Sequence, residues 1–333
     1  MAKAKNIPVI DCEAAAAEAI RIVLVTRFEE MCALRDHALD WSDPEGVHDM
    51  RVSSRRLRSA LRDFAPYLHK HGLSATLKKI RKIADTLGDV RDQDVAIIGL
   101  RKLETGAPVE AAAMLERLVH AREIVRKRAR KDLQQSLNKR PLKQLQTDFV
   151  AAMSLATGNS KPPKGGQANV TYRDVARSII GERLKEVENL SQGLYRPLKM
   201  KPLHKMRIAA KRLRYALELF EPGWGAGIRE YAKRVAALQA SLGELHDSDI
   251  WIETLGEHLN GIESQPKNRA DAALWLLSHF VKLHSKHLRN SLDRWRDWEV
   301  NECGSRLREC LNENLLVAVE TVPPAPEKAE AAS

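Results

Sequence analysis

Aromatic side chains are scarce in this chain, only 5% of its 333 residues. That argues against recognition of single-stranded nucleic acid by stacking bases on rings. Cysteine is scarce too: Cys12, Cys32, Cys303 and Cys310 stand near the two ends with no CxxC pair or zinc-type spacing among them. Free thiols in a reducing compartment are the expectation, without a disulfide framework or a cysteine-built metal site. Long apolar runs are missing as well. No window reaches the ~20 apolar residues that cross a bilayer, and the opening stretch is broken by Asp11, Glu13 and Glu18 where a secretory signal is apolar. Nor does any run alternate apolar and polar residues as strands do. These absences predict a cytoplasmic, all-α protein that neither spans nor binds a membrane.

Charge, by contrast, is abundant and unbalanced. Charged residues make up 30% of the chain, with a net charge of +11 and a pI near 9.5. Clustered cations attract polyanions, so this composition speaks of partners and says nothing of fold. The clustering is visible in VHDMRVSSRRLRSALRDFAP, beginning at Val47. His48, Arg51, Arg55, Arg58 and Arg62 recur at steps of three and four, which puts them in one stripe of a helix. Met50, Leu57, Leu61 and Phe64 fall on the opposite side and make a core face.

The pattern returns as LHKMRIAAKRLRYALELFEP from Leu203, with His204, Arg207, Lys211 and Arg214 in the stripe. His48 and His204 stand 156 positions apart, and so do Pro66 and Pro222. An internal duplication accounts for both. Like charges at helical spacing cost a few tenths of a kcal/mol per pair, so carboxylates or an external anion must compensate the stripe. Arginine suits an anion, because its planar fork gives two hydrogen bonds to a phosphate and keeps its charge.

The repeat reaches beyond the basic helix. A first helix is predicted from Glu13 to about Leu39 and its counterpart from Tyr172 to about Leu194, with Arg21 and Arg27 matching Arg177 and Arg183. Ser42 and Asp43 before Pro44 make a helix start. Pro66 and Pro222 are expected to end the basic helices. Third helices begin near Leu73 and its equivalent, and fourth helices follow Pro108 and run from about Ala272 to Trp298. The fold expected is two pseudo-symmetric four-helix bundles, over residues 8–156 and 171–318, joined by a linker at 157–170 and followed by a disordered tail at 319–333. Further cations on these helices extend the candidate surface: Arg21, Lys79, Arg122, Arg126, Arg177, Arg234, Lys282 and Lys286.

Each third helix carries an acidic motif, LGDVRDQDV from Leu87 and LGELHDSDI from Leu242. If the helix runs through Gly88, Asp94 and Asp249 face the core and must meet cations, for which Arg56 and Arg212 are the candidates. Asp89, Asp92, Glu244 and Asp247 point elsewhere, toward other arginines, or cap a helix start if the helix breaks at Gly88. Carboxylate clusters can also hold magnesium for phosphoryl transfer, but no P-loop, nucleophile motif or further ligand set accompanies these. No metal, cofactor or catalytic residue is assigned.

The two basic motifs, each followed about 35 residues later by its acidic motif, resemble the CHAD family, the conserved histidine α-helical domain, over roughly residues 8 to 315. The resemblance implies an all-helical fold of two four-helix repeats and binding of inorganic polyphosphate on the basic surface between them. It also implies that His48, Arg51, Arg55, Arg56 and Arg58, with His204, Arg207, Lys211, Arg212 and Arg214, contact the phosphate chain. Lys211 stands where the family pattern has arginine, which keeps the charge and loses the planar fork. A non-enzymatic polyphosphate-binding protein, associated with polyphosphate granules, is the expectation. A nucleic-acid-binding protein or a magnesium-dependent polyphosphate hydrolase are the competing readings; duplex DNA would call for an element that enters a groove, and none is evident.

Overall fold

The computed structural model of the chain describes residues 10–69, 73–158, 170–224, 226–259 and 267–312. Eleven α-helices carry these residues, with a single isolated bridge and no strand among them. In chain order they are α1 (Ala16–Ala33), the short α2 (Arg35–Ala38), α3 (Pro44–Asp63), α4 (Leu73–Glu104), α5 (Val109–Ser136), α6 (Lys139–Gly158), α7 (Tyr172–Leu190), α8 (Met200–Trp224), α9 (Ala226–Leu259), α10 (Lys267–Val300) and α11 (Cys303–Asn312). The chain is all-α. The basic stripes lie on α3 and α8.

Local chemistry sets the starts of these helices. Asp43 caps α3 by accepting from the Glu45 N–H at 2.9 Å, with Pro44 in the first turn. Thr171 and Asp174 form a reciprocal capping box on α7. The starting points of α1 and α7 touch: Ala16 N–H donates to the Val170 carbonyl and Tyr172 N–H to that of Ala14. The two prolines behave differently. Pro66 follows the end of α3, in a 3-10 turn, but Pro222 lies inside α8 and does not end it. A proline so near a helix end removes one hydrogen bond and leaves the last turn free to form.

A large apolar core runs through both halves. At its centre Phe64 and Phe220 meet edge to face at 5.9 Å, with Tyr172 at 5.2 Å from Phe220. Each such ring removed from water stabilises the fold by about 2–3 kcal/mol. A further helix beyond the expected four joins each half. The first of them, α6, packs on α1 and α4, and its Phe149 stacks on Phe28 at 4.2 Å. The second, α11, packs on α7, α9 and α10. All four cysteines are free thiols, and three are buried.

The long hairpins α4–α5 and α9–α10 extend from this core, and their far ends join in a second, smaller one. Ile97, Leu100 and Leu115 of one hairpin there meet Leu255, Leu276 and Phe280 of the other. With α3 against α8, the packed pairs α3·α4, α4·α5, α5·α10, α10·α9 and α9·α8 close a cycle. The expected linker at 157–170 lies outside the described residues except at its edges, where Thr157 and Gly158 complete α6. The expected tail lies wholly outside them.

Candidate anion-binding site

The stripes on α3 and α8 converge where the two helices pack. Arg55 of α3 lies 5.8 Å over the Tyr215 ring of α8, and Arg214 lies 4.8 Å over the same ring. One buried tyrosine therefore holds two guanidinium groups, and cation–π attraction offsets part of their repulsion. Burial pushes Arg55 below the ordinary arginine range; Tyr215 opposes the shift, while Arg51 and Arg214 add to it. Burial likewise lowers Arg207, with Asp247 opposing and Arg55 reinforcing. Lys211 is the most perturbed of the group. Burial first, then Arg55, Arg207, Arg51 and Arg62, push its amine down to about 7. Among the described residues no carboxylate lies within 4.0 Å of Arg55, Arg207 or Lys211.

Two carboxylates approach this cluster from the hairpins. Asp92 of α4 accepts from Arg51 at 3.0 Å, and Asp247 of α9 faces Arg207 and Arg51. Asp247 is open to solvent yet walled by protein on most sides. Its carboxyl is pushed above the usual range, by desolvation first and by Asp92 and Glu244 after the opposing pull of Arg207. Two carboxylates do not balance Arg51, Arg55, Arg207 and Lys211. An anion with several charges would.

Histidines stand at the ends of the stripes. His48 is half-buried, and burial and Arg91 lower its pKa. His204 is lowered by burial, Arg207 and Lys211, and its buried Nδ1 finds no hydrogen-bond partner among the described residues. Its ring sits 4.7 Å from that of His246, which burial, Arg207 and His204 push down to about 4. At neutral pH these rings are uncharged and can donate one hydrogen bond each. Arg91 and His246 occupy one matched place in LGDVRDQDV and LGELHDSDI, the signal by which the sequence could have revealed them.

Several predicted contacts are instead committed to the protein. Arg56 and Arg212 do not reach Asp94 and Asp249, which corrects the expected pairing. Arg56 lies 3.6 Å from Glu30 and 3.9 Å from Glu218, and Arg212 lies 2.5 Å from Glu186. Arg27 and Arg183 complete two equivalent triads, at 2.8 Å from Glu30 and 3.6 Å from Glu186. In each, one carboxylate on the first helix of its half stands between two arginines. Arg183 also donates to buried Asp63 at 2.8 Å and so ties α7 to α3. Arg62 shares that carboxylate at 3.3 Å, Arg58 pairs with Asp85 at 3.5 Å, and Arg214 lies 3.4 Å from Glu218.

Asp94 and Asp249 do face inward, because α4 and α9 continue through Gly88 and Gly243. Their partners come from the next helices. Asp94 meets Arg126 at 3.2 Å and Arg130 at 4.0 Å, whereas Asp249 meets His284 at 3.2 Å. Glu244 pairs with His287 at 2.8 Å. Asp89 is exposed and has its carboxyl raised by partial burial and by Asp92, Asp85 and Asp132.

The outlying cations are not gathered into the central cluster by any contact of their own. Arg21 pairs with Glu18 at 2.5 Å, Lys79 with Asp148 at 3.3 Å and Arg234 with Glu230 at 3.6 Å. Arg177 caps the end of α11 through the Leu311 and Asn312 carbonyls. Arg122 lies 5.7 Å over Trp251, and Lys282 and Lys286 are exposed on α10. Among the described residues, three potential metal-ligand atoms come within 4.8 Å of one another only at Glu45, His48 and Asp49. Arg91, 3.9 Å from Glu45 and beside His48, already supplies positive charge there.

Comparison with known proteins agrees with this architecture. Residues 23–256 match the CHAD domain family. Two curated uncharacterized proteins, from two strains of Mycobacterium tuberculosis, are 26% and 25% identical over 230 residues. That alignment takes 68% of this chain and 43% of each relative, so the chain spans less than half of their length. The crystal structure of the CHAD domain from the plant Ricinus communis superposes with a TM-score of 0.67 at 24% identity, over 87% of this chain and 94% of that one. PptA from Streptomyces chartreusis superposes with a TM-score of 0.60 at 17% identity, over 85% of this chain and all of that one, 100%. With its all-α architecture, its paired basic helices and a match across most of its length, the chain belongs to the CHAD domain family.

Proposed function

We propose that this protein binds inorganic polyphosphate through the cations shared by α3 and α8, without catalysing a reaction on it. The observation that carries the reading is the convergence of Arg51, Arg55, Arg207 and Lys211 from two helices, three of them with no described carboxylate in ion-pair range. A polyphosphate chain presents repeated charge and no bases, so guanidinium forks and an amine suffice to hold it. His48 and His204 add hydrogen-bond donors at the two stripes. Arg56 and Arg212 support the site from behind, in the triads with Glu30 and Glu186. Recruitment to cytoplasmic polyphosphate granules is part of the same reading, and a fluorescent fusion that ignores granules in living cells would remove it.

The binding test is competition at equal charge concentration and equal salt. Long-chain polyphosphate is expected to displace labelled polyphosphate and duplex DNA is not; effective displacement by DNA would shift the reading to a nucleic-acid binder. Replacing Arg51 and Arg207 together by glutamate is expected to weaken binding more than 100-fold, about 3 kcal/mol, with helical content intact by circular dichroism. Incubation with polyphosphate and magnesium is expected to leave chain length unchanged. Progressive shortening would make the protein an enzyme.

A further inference from the structure

The acidic motif carries a glycine in each half, Gly88 in α4 and Gly243 in α9, and both helices run through it unbroken. Glycine weakens a helix interior relative to alanine, so these two positions call for a reason. A Cβ built on Gly88 would lie 3.9 Å from Arg51 Nε, and one on Gly243 would lie 3.8 Å from Arg207 Nε. Apart from chain neighbours and the helix's own backbone, no other described atom comes within 4 Å of either position. Further along the same helices stand Gly99 and Gly256, and there nothing described lies within 4 Å. Of these four glycines, the two in the motif each meet an arginine, and it is the matched arginine of the basic stripe in both halves.

The aspartate of the motif completes the contact. Asp92 stands one turn beyond Gly88 on the same face of α4, and it accepts from Arg51 Nη2 at 3.0 Å. With Nε beside the glycine and Nη2 at the carboxylate, the Arg51 side chain runs along the helix surface. Asp247 takes the same place one turn beyond Gly243, and its charge bears on Arg207 from beyond ion-pair range. Glycine and aspartate together make a trough for a guanidinium, and the trough occurs twice.

We propose that Gly88 and Gly243 are positioning residues for the anion site: each leaves bare the strip of helix against which Arg51 or Arg207 lies, and a side chain longer than a methyl group displaces that arginine from the path of the polyanion. The inference rests on the reading that polyphosphate binds at the cations shared by α3 and α8. A methyl group fits, because a Cβ at 3.8 or 3.9 Å from Nε is in ordinary contact. A γ carbon stands about 1.5 Å beyond Cβ, in the space that Nε occupies. Isoleucine, with two γ carbons and one preferred χ1 in a helix, cannot swing both aside.

The test uses the full chain, long-chain polyphosphate and a salt series. Gly88→Ile with Gly243→Ile is expected to weaken binding about tenfold and to lower the salt slope by about two units, one for each displaced arginine, although no charge has been removed. Gly88→Ala, the conservative change, is expected to restore affinity to within about threefold of the unsubstituted chain. Gly99→Ile, in open space, is expected to leave affinity and slope within about twofold. The deciding measurement is a double-mutant cycle: once Arg51 is replaced by alanine, Gly88→Ile is expected to change affinity by less than about twofold. A loss as large as in the unsubstituted chain overturns the proposal, since the glycine would then act through the fold or by touching the ligand. Should the double isoleucine variant lose helical content by circular dichroism, Gly88→Ile alone carries the same test, at about one unit of slope.

A ligand-free measurement separates this inference from the proposed function. The Arg51 Nε–H resonance, identified by its loss in Arg51→Lys, is expected to shift in Gly88→Ile and to hold its place in Gly99→Ile. If it does so and polyphosphate does not bind the unsubstituted chain, the proposed function fails and the trough stands. If polyphosphate binds and Gly88→Ile binds it equally well with an unchanged salt slope, the trough alone fails.

Discussion

Asp94 and Asp249 occupy matched places in the two acidic motifs, and replacing each by asparagine is expected to have opposite consequences. Asp94 is 2% exposed, and its Oδ1 faces Arg126 and Arg130 at 3.2 and 4.0 Å. Neither arginine can shed its proton. Removing the carboxylate leaves their charge uncompensated, which costs 3–5 kcal/mol for a fully buried pair. The arginine side chains keep 26% and 24% of their exposure and with it some hydration, so about 2–3 kcal/mol is expected for Asp94→Asn. Asp249 is 8% exposed and faces one imidazole, that of His284, where Asp94 faces two guanidinium groups.

Burial already pushes the Asp249 carboxyl up against the pull of His284. A carboxyl raised by folding gives stability below its unfolded value near 4 and withdraws it as pH climbs through the raised value. At pH 7 its charge is therefore a cost, and Asp249→Asn is expected to be neutral or stabilising by up to about 1 kcal/mol. Urea denaturation at pH 7 followed by circular dichroism separates the two, through the shift in midpoint at constant slope. Equal losses for both variants, or no loss at Asp94, would refute the argument that partner chemistry decides the outcome.

Four other substitutions probe the site and the triad behind it. Asp92→Asn releases Arg51 and is expected to tighten polyphosphate binding about threefold to fivefold, the scale of an exposed ion pair, and Asp247→Asn, whose carboxylate stands beyond ion-pair range of Arg207, by less; weaker binding in a filter assay would mean that these carboxylates help to hold the ligand. Because Lys211 sits at about 7 and an anion restores it toward 10.4, binding at pH 8 is expected to take up between about half and one proton. Titration calorimetry in buffers of different ionisation heat measures this. Lys211→Arg, charged throughout, is expected to abolish it. Glu30→Gln, which strips the carboxylate from between Arg27 and Arg56, is expected to cost about 2–3 kcal/mol in the same urea assay; an unchanged midpoint would remove the triad from the fold's support.

The recurring LGxxxDxD spacing was enough to aim Asp94 and Asp249 inward, since facing is a property of one helix and its period. Their partners were not legible. Arg126 and His284 sit on the following helices, and which turn lands beside which depends on how the hairpins close. Arg56 and Arg212 misled for the same reason: their positions beside the stripe are plain, but Glu30 and Glu186 meet them only once α1 and α7 are packed against α3 and α8. The basic stripes and their offset of 156 were visible because they repeat. Tyr215 was not, because no matching aromatic stands in the first half, where Ser59 takes its place. Nor did Pro222 look like a residue a helix could carry, since proline weakens a helix by an amount that only tertiary packing can offset.

Tyr215, with Arg55 and Arg214 both over its ring, has a consequence in time as well as in energy. The cations it holds are arrayed before any ligand arrives, so capture requires little rearrangement of the protein and is paced by diffusion in the field of the cluster. Added salt should then act mainly by slowing arrival, with a smaller effect on escape. Exchanging the ring for alanine would leave every charge in place yet turn a rapid encounter into one that waits for the arginines to find their posts.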